Sequence, residues 1–125
     1  MVKEITLKEN SMIKLENRLA EREVKRVLQK WTPFFSYNLV VNQIKNNKEF
    51  NRFAIVIWSK SVKLAVHRNF LRRRFYDYMK EFIDDGLWRD IVFVIKKKSS
   101  INIKDKASLD SFYKDIKFLS KKIFK

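Results

Sequence analysis

From residue 53 to residue 79 the chain reads FAIVIWSKSVKLAVHRNFLRRRFYDYM. Residues 53–58 are apolar and rich in β-branched side chains, a composition that predicts a well-buried strand. After a short basic connection, an apolar stripe at helical spacing predicts a helix over residues 65–85. The stripe consists of Leu71, Phe75, Tyr78, Met79 and Phe82. Gly86 stands where the end of that helix favours a left-handed residue, so this strand and helix form the centre of the predicted fold.

Two further elements are predicted on the N-terminal side. Residues 12–31 place apolar side chains on one helical face, and Pro33 ends this helix because proline disfavours the α conformation of the residue before it. That face consists of Ala20, Val24, Val27, Leu28 and Trp31. Residues 34–44 alternate, which predicts a half-buried strand with one face formed by Phe35, Tyr37, Leu39 and Val41. Turn-forming residues at 46–49 indicate that this strand and the strand at 53–58 form a hairpin.

The C-terminal part supplies a third strand and a last helix. Residues 91–95 read IVFVI, which predicts a short buried strand. Ser108 is a candidate N-cap for the helix, whose inner face consists of Leu109, Phe112, Tyr113, Ile116, Leu119 and Ile123. The predicted order is α-β-β-α-β-α, an α+β fold in which helices pack on a small sheet of three to four strands. We expect a single domain over residues 1–125, with residues 1–11 as a loosely ordered lead-in.

Charge is the strongest compositional signal. The chain has 29 Lys and Arg residues against 14 Asp and Glu residues, a formal net charge of +15. Such an excess favours polyanionic partners, nucleic acid first and an anionic membrane surface second. The lack of cysteine excludes disulfides and thiolate chemistry, and a single histidine excludes sites that need two imidazoles. Because no apolar run reaches about 18 residues and the N-terminus lacks the core of a secretory signal, we expect a cytoplasmic protein without membrane or small-molecule partners.

The densest basic stretch, residues 60–74, contains no acid. Helical spacing places on one face Asn69, Arg73, Tyr76 and Lys80, with Arg72 beside them. Arginine forks can bond two phosphate oxygens at once, while Asn and Tyr add hydrogen bonding and stacking. The candidate RNA-binding residues are therefore Lys60, Lys63, Arg68, Asn69, Arg72, Arg73, Arg74 and Tyr76. A solvated helix face, or a helix lying on a membrane, would carry a similar charge pattern.

Residues suited to catalysis are sparse in this sequence. His67 stands apart from any acid that would obviously orient it, so we expect it to be a bystander or a phosphate contact. Asp84, Asp85 and Asp90 lie close together in the sequence, where they could cap a helix end or hold a hydrated cation. The simplest expectation for these three carboxylates is a solvated turn.

The strand, the connection and the basic helix resemble the signature of the protein subunit of bacterial ribonuclease P. In that family a strand ends in Ser-Lys-Lys, a short glycine-containing turn follows, and Ala-Val-x-Arg-Asn-Arg-x-Lys-Arg opens a helix. Direct matches are Ser59, Lys60, Ala65, Val66, Arg68, Asn69 and Arg73, while Arg72 keeps the charge of a lysine. The chain resembles a divergent member. Its departures are Ser61 for the second lysine, Lys63 for the turn glycine, Phe70 for the second arginine and Tyr76 at a position often held by arginine.

The resemblance implies an α+β fold with a left-handed crossover around the basic helix. It implies an accessory subunit of an endoribonuclease, which binds a catalytic RNA and assists removal of the 5′ leader of precursor tRNA to give the mature 5′ end. The leader would lie in a cleft between the first helix and the sheet. Val24 and Leu28 stand where the family carries two cleft aromatics, and Phe35 and Tyr37 are candidates to stack on bases. The catalytic centre and its Mg²⁺ ions would belong to the RNA, so no catalytic residue, metal ligand or cofactor is expected in this chain.

Two other functions remain open from the residues alone. A structural RNA-binding protein of ribosomal type would use a similar basic scaffold and take no part in cleavage. A protein-only, Mg²⁺-dependent nuclease would need carboxylates that converge in the fold, and it would cleave without an RNA subunit. A DNA-binding role is less favoured, because no helix-turn-helix spacing is present.

Overall fold

The computed structural model of the chain describes residues 13–30 and 33–124. Four strands form one mixed sheet, and three helices pack on it, which confirms the predicted α+β class. The strands are β1 (Phe34–Phe35), β2 (Leu39–Lys45), β3 (Arg52–Val56) and β4 (Arg89–Ile95). The helices are α1 (Glu21–Gln29), α2 (Ala65–Met79) and α3 (Lys106–Ile123). The lead-in predicted at 1–11 lies outside the described residues, and no helix within those residues is long and apolar enough to cross a membrane.

The sheet order is β1-β2-β4-β3, so the predicted hairpin between the first two long strands is wrong. β4 lies between them, antiparallel to β2 and parallel to β3. β3 and β4 are buried on both faces along most of their length, because α1 covers one face of the sheet and α2 and α3 cover the other. The connection from β3 through α2 to β4 is therefore a crossover, and its left-handed sense stays a prediction.

The alternating stretch at 34–44 is not one strand. Residues 36–38 form a turn between β1 and β2, and the Ser36 backbone N–H donates to the Leu39 carbonyl over 2.8 Å. The turn is held against α3, because the Asn38 backbone N–H donates to the buried Asp115 carboxylate over 2.8 Å. Leu39 is fully buried, whereas Phe35 is 54% exposed and Tyr37 is 82% exposed. The prediction of one shared buried face is therefore wrong.

The first helix is shorter than predicted. α1 begins at Glu21, while Leu15–Asn17 form a single 3-10 turn and the next residues run along the edge of β3. There the Leu19 backbone N–H donates to the Phe53 carbonyl over 2.9 Å, and Arg18 forms an isolated parallel bridge with Phe53. These contacts use backbone groups that a longer helix would need for its own hydrogen bonds. Residues 12 and 31, the predicted helix ends, lie outside the described part of the chain.

The two faces of the sheet carry two separate apolar clusters. The larger cluster packs beneath α2 and α3, and its fully buried side chains include Phe53, Phe75, Phe93, Phe112 and Leu119. The smaller cluster lies beneath α1 and consists of Leu19, Val27, Ala54 and Val92, with Val24, Leu28, Ile44, Val56 and Val94 partly buried around it. The inner face predicted for the last helix packs on the larger cluster at every position. Among the described helices, α1 is the one that covers the second face, so a cleft on that face would lie between α1 and the strands.

The helix ends match the sequence signals only in part. α2 ends at Met79 and continues as a 3-10 turn, Lys80–Phe82, so the helix predicted for 65–85 is shorter. Gly86 has the expected left-handed conformation, with φ of 83°. The N-cap of α3 is Asp105, whose carboxylate accepts from the Ala107 backbone N–H. The prediction of Ser108 as the N-cap is wrong, since its hydroxyl accepts from the Asn102 backbone N–H over 2.9 Å instead.

Candidate RNA interface

The outer side of α2 and the connection before it carry most of the predicted RNA-binding residues. We define the basic surface as Lys60, Lys63, Arg68, Asn69, Arg72, Arg73 and Arg74. Arg68 and Arg72 are half-buried, and the other five side chains are exposed. Within residues 13–30 and 33–124, the ion pairs formed by acids involve none of these cations. The basic surface therefore presents uncompensated positive charge to a polyanion.

Local contacts nonetheless fix several of these guanidinium groups. Arg68 Nη1 donates to the Val62 and Lys63 carbonyls over 2.8 and 2.9 Å, so this side chain orders the connection that precedes α2. Arg72 Nη1 donates to the Asn69 Oδ1 atom over 3.0 Å. These neutral acceptors leave the positive charge in place and reduce the conformational freedom that a bound phosphate would otherwise have to restrict.

Tyr76 does not belong to the exposed surface. Its side chain is 6% exposed and lies in the larger core cluster, with its ring 5.3 Å from that of Phe75. Burial raises the pKa of the phenol, while the nearby charges of Arg72 and Arg18 act in the opposite direction. The prediction that Tyr76 stacks on RNA is therefore wrong. α2 packs on the sheet through a wider stripe than the sequence pattern indicated, because Leu71, Phe75, Tyr76 and Met79 are all buried.

The predicted leader-binding residues lie on or near the α1 side of the sheet. Val24 and Leu28 pack against the smaller cluster. Phe35 is opposite Val40 in the β1–β2 register, and Val40 is opposite Val94, which places Phe35 on the same face. We use the name α1 cleft for the candidate leader site on this face, which consists of Val24, Leu28, Phe35, Val56 and Val94. Tyr37 lies in the turn after β1, and no described contact joins its side chain to this cleft.

The carboxyl ends of β3 and β4 form a basic and aromatic region that the sequence interpretation did not assign to the site. Lys96 Nζ lies 5.6 Å from the ring centroid of Phe35, and Lys97 Nζ lies 4.8 Å from the Trp58 ring. Parallel strands end at the same edge of a sheet, so β3 and β4 bring Trp58 and the two lysines together. The sequence shows the lysines and the tryptophan, but the predicted hairpin paired β3 with β2. It therefore did not place the ends of β3 and β4 side by side.

A buried charged cluster attaches α1 to the sheet. Arg52 Nη1 donates to Glu23 Oε2 over 2.8 Å, and its other nitrogens bind Asp90. Arg26 lies 3.6 Å from the same Asp90 carboxylate, and Asn46 donates to it over 2.8 Å. The Ala20 backbone N–H, followed by Arg52, lowers the pKa of Glu23, and hydrogen bonding to Asp90 raises the pKa of Arg52. This cluster fixes the separation of α1 from the strands and therefore the shape of the α1 cleft.

The three carboxylates near Gly86, those of Asp84, Asp85 and Asp90, have hydrogen-bond partners within the protein. Asp90 binds Arg52, and Asp85 accepts from Arg89 Nη2 over 2.7 Å, so the expectation of a solvated turn is wrong for these two. Asp84 is exposed and accepts from the Trp88 indole N–H over 3.4 Å. In the described part of the chain, no three His, Cys, Asp or Glu side chains come together as metal ligands. Asp85 and Asp90 are instead paired with arginines.

Comparison with known proteins assigns the family. The sequence model of the ribonuclease P family matches residues 13–123. The chain belongs to the ribonuclease P protein family. The ribonuclease P protein component of Mycoplasma genitalium is 34% identical over 100 residues, which cover 78% of this chain and 77% of that relative. Membership confirms the resemblance inferred from the strand, connection and basic helix.

Solved structures of this family share the fold. The ribonuclease P protein of Staphylococcus aureus matches with a TM-score of 0.65 at 20% identity, over 87% of this chain and 98% of that chain. A mutant of the S. aureus protein, described as defective in mRNA degradation activity, matches with a TM-score of 0.60 at 23% identity, over 84% of this chain and 89% of that chain. At these identities the likeness shows a common ribonuclease P protein fold and leaves the role of individual residues to the geometry of this chain.

Proposed function

We propose that this chain is the protein component of a ribonuclease P holoenzyme in the cytoplasm, where it binds the catalytic RNA and precursor tRNA. The holoenzyme removes the 5′ leader and leaves the mature 5′ end. The observation that carries this proposal is the basic surface of a ribonuclease P family member, whose cations have no acidic partner in the described structure.

The basic surface is proposed to bind the catalytic RNA. Arg73 and Arg74 are exposed on α2, and their planar forks suit bidentate contacts with phosphate oxygens. Arg68 holds the connection before the helix, so Lys60 and Lys63 project from an ordered segment. Each phosphate contact would release condensed counterions, which makes the affinity strongly dependent on salt. RNA and substrate repel each other through their phosphates, and a cationic protein at their junction offsets that repulsion.

The α1 cleft is proposed to bind the single-stranded leader. Its floor is apolar, formed by Val56 and Val94, and Phe35 offers a half-exposed ring at one end. Lys96 lies over that ring and supplies a positive charge for the leader backbone. Single-stranded nucleic acid binds where a basic groove adjoins an aromatic surface, since every base can stack. Val24 and Leu28 replace the two aromatics expected in this family, so stacking in this chain depends on Phe35.

Scission is proposed to occur in the RNA subunit, with Mg²⁺ bound there. The role of this chain's residues would then be to bind and orient the two RNAs. The metal would supply the activated water for in-line hydrolysis when it is bound to the RNA.

Reconstitution tests the proposal. The chain, the catalytic RNA of its own organism and a precursor tRNA are mixed at low Mg²⁺, and the release of the leader is measured for protein alone, RNA alone and both. Cleavage only in the combined reaction, or strong stimulation of the RNA-alone rate, supports the proposal. Cleavage by protein alone would establish a protein-only nuclease. Absence of stimulation, together with co-purification with ribosomes, would establish a structural RNA-binding protein of ribosomal type.

A further inference from the structure

A groove of about 380 Å³ lies between α2 and α3, on the outer side of the helical layer. We define the α2–α3 groove by its lining residues, Arg74, Asp77, Tyr78, Tyr113, Ile116 and Lys117. Its volume lies within the range of pockets that bind small ligands, about 300–1,000 Å³. The α2–α3 groove is separated from the α1 cleft by the sheet, because α1 and α2 pack on opposite faces.

The walls of the groove are aromatic and held in place. The Tyr78 ring is tilted against Phe82 with centroids 5.7 Å apart, and the Tyr113 ring is tilted against Phe112 with centroids 5.9 Å apart. Both tyrosines are half-buried, so part of each ring faces the groove while the rest packs on the core. Ile116, which is 2% exposed, closes the floor. Rigid aromatic walls over an apolar floor suit a flat ring, because little conformational freedom is lost when it binds.

The rim of the groove is charged and continues along α2. Arg74 and Lys117 supply two cations at the rim, and Asp77 supplies a carboxylate. A second depression of about 310 Å³ shares Arg74 and Asp77 and extends to Phe70 and Arg73. The Arg74 guanidinium lies 5.2 Å from the centroid of the Phe70 ring, so both present a flat face along this path. A strand of RNA could therefore pass from the basic surface into the groove with cations beside it along the whole path.

We propose that the α2–α3 groove binds an unstacked guanosine of single-stranded RNA. The base would lie between the two tyrosine rings, and Arg74 and Lys117 would bind its flanking phosphates. Guanine is the base that offers two adjacent N–H donors, N1–H and N2–H, to the two oxygens of one carboxylate, here that of Asp77. The other bases offer a single such donor group to that carboxylate, so they would bind more weakly.

The charges of the groove favour RNA over a protein partner. Three cations, Arg73, Arg74 and Lys117, surround a single acid, and the whole chain carries a net charge of +15. Asp77 pairs with Lys80 at 3.4 Å, but both side chains are partly exposed, so that pair is easily exchanged for a base. The inference rests on the proposed function in one respect, namely that α2 faces RNA. It adds α3 to the RNA interface and assigns a base preference to it.

Aromatic side-chain NMR of the free full-length chain tests the inference without any catalytic RNA. GMP, AMP and inorganic phosphate are titrated separately, and the ring signals of Tyr78 and Tyr113 are assigned with Tyr78→Phe and Tyr113→Phe variants. GMP is expected to shift both ring signals saturably, and AMP is expected to bind about tenfold more weakly. Phosphate alone is expected to leave the rings unmoved. If GMP moves neither ring, or if AMP and GMP bind equally, the guanosine site is refuted.

The variant Asp77→Asn separates base recognition from simple charge attraction. Removing the carboxylate is expected to weaken GMP binding about tenfold and to abolish the preference over AMP. A purely electrostatic surface predicts the opposite, since the loss of a negative charge would tighten the binding of any nucleotide. Asp110→Asn is the matched control, because Asp110 is an exposed acid on α3 outside the groove. Equal effects of the two substitutions would overturn the proposal.

A second measurement uses RNA as the ligand. Two labelled seven-nucleotide strands, one all adenosine and one with a central guanosine, are bound to the chain at about 0.15 M ionic strength. The guanosine strand is expected to bind about tenfold more tightly, and Asp77→Asn is expected to remove that difference. Equal affinities for the two RNAs would refute the proposal that the groove binds a guanosine of RNA. Because leader removal is not measured here, failure of this test and failure of the reconstitution experiment are distinguishable.

Discussion

Arg52 binds Asp90 through two hydrogen bonds across the parallel β3–β4 pair. Nε donates to Oδ1 over 2.8 Å and Nη2 donates to Oδ2 over 2.7 Å, and the two residues are opposite each other in the strand register. The Asp90 side chain is fully buried and that of Arg52 is 10% exposed. The third guanidinium nitrogen reaches Glu23 on α1, so one side chain joins two strands and a helix.

We expect Asp90→Ala to destabilise the fold by about 3–5 kcal/mol, because it removes two of the three described hydrogen bonds of the buried Arg52 guanidinium. The free energy of unfolding, measured with urea and circular dichroism, checks this value. Glu21→Ala is the control, since it breaks the exposed Lys25–Glu21 pair at 3.5 Å and is expected to cost no more than about 0.5 kcal/mol. Similar losses for the two variants would show that the buried pair is not a structural requirement.

The pKa of Glu23 makes the attachment of α1 sensitive to acid. The Ala20 backbone N–H and Arg52 hold that pKa below its ordinary value of 4.5. A carboxyl with a lowered folded pKa contributes stability above its ordinary pKa, and the contribution is lost as pH falls through the folded value. The free energy of unfolding should therefore fall below about pH 4.5.

Glu23→Gln isolates this effect, because its amide oxygen can still accept from Ala20 while it carries no charge. At neutral pH the variant is expected to be less stable than the parent chain. The difference is expected to shrink as the pH is lowered through the folded pKa of Glu23. Urea unfolding at a series of pH values measures it, and a difference that stays constant from neutral to acid pH would contradict the assignment.

Much of the fold could be predicted from local patterns. The apolar stripes of α2 and α3 repeat at helical spacing. The β-branched runs at β3 and β4 are apolar throughout, which predicts buried strands. The strand pairing could not be predicted in this way, because β2 pairs with β4, which is about fifty residues away in the chain. A turn signal at 46–49 suggests local pairing, and only the packing of β4 between its neighbours overrides it.

For the candidate RNA interface, the sequence predicted the exposure of the charged side chains better than the direction in which the aromatic side chain points. Arg73 and Arg74 were identified correctly as exposed, since a run without acids has no internal partner to bury it. Tyr76 was assigned to the same face because its spacing from Asn69 and Arg73 fits a helix. An amphipathic residue at the boundary of a helical face turns inward when a core ring is near, and here that ring is Phe75.

Arg73→Ala should change the salt dependence of RNA binding in a defined way. If Arg73 binds one phosphate, the slope of log affinity against log salt is expected to be smaller in magnitude by about 0.7–0.9. Filter binding of the catalytic RNA over a range of salt concentrations measures the slope. Lys48→Ala is the control, because Lys48 is an exposed cation in the turn between β2 and β3, beside α1 and away from the proposed interface. Its slope is expected to match that of the parent chain. An unchanged slope for Arg73→Ala would remove this residue from the RNA interface.

Phe35→Ala should weaken binding of the leader and leave the fold intact. Phe35 is 54% exposed on the α1 side of the sheet, beneath Lys96, so removal of its ring is expected to cost about 1–3 kcal/mol of stacking with one base. The measurement compares the affinities of the reconstituted holoenzyme for precursor tRNA with and without a leader, because only the former depends on the cleft. Phe118→Ala removes a ring of similar exposure, 50%, from the outer side of α3 and is expected to affect neither substrate. If Phe35→Ala weakens both substrates equally, the ring contributes to holoenzyme assembly and the leader lies elsewhere.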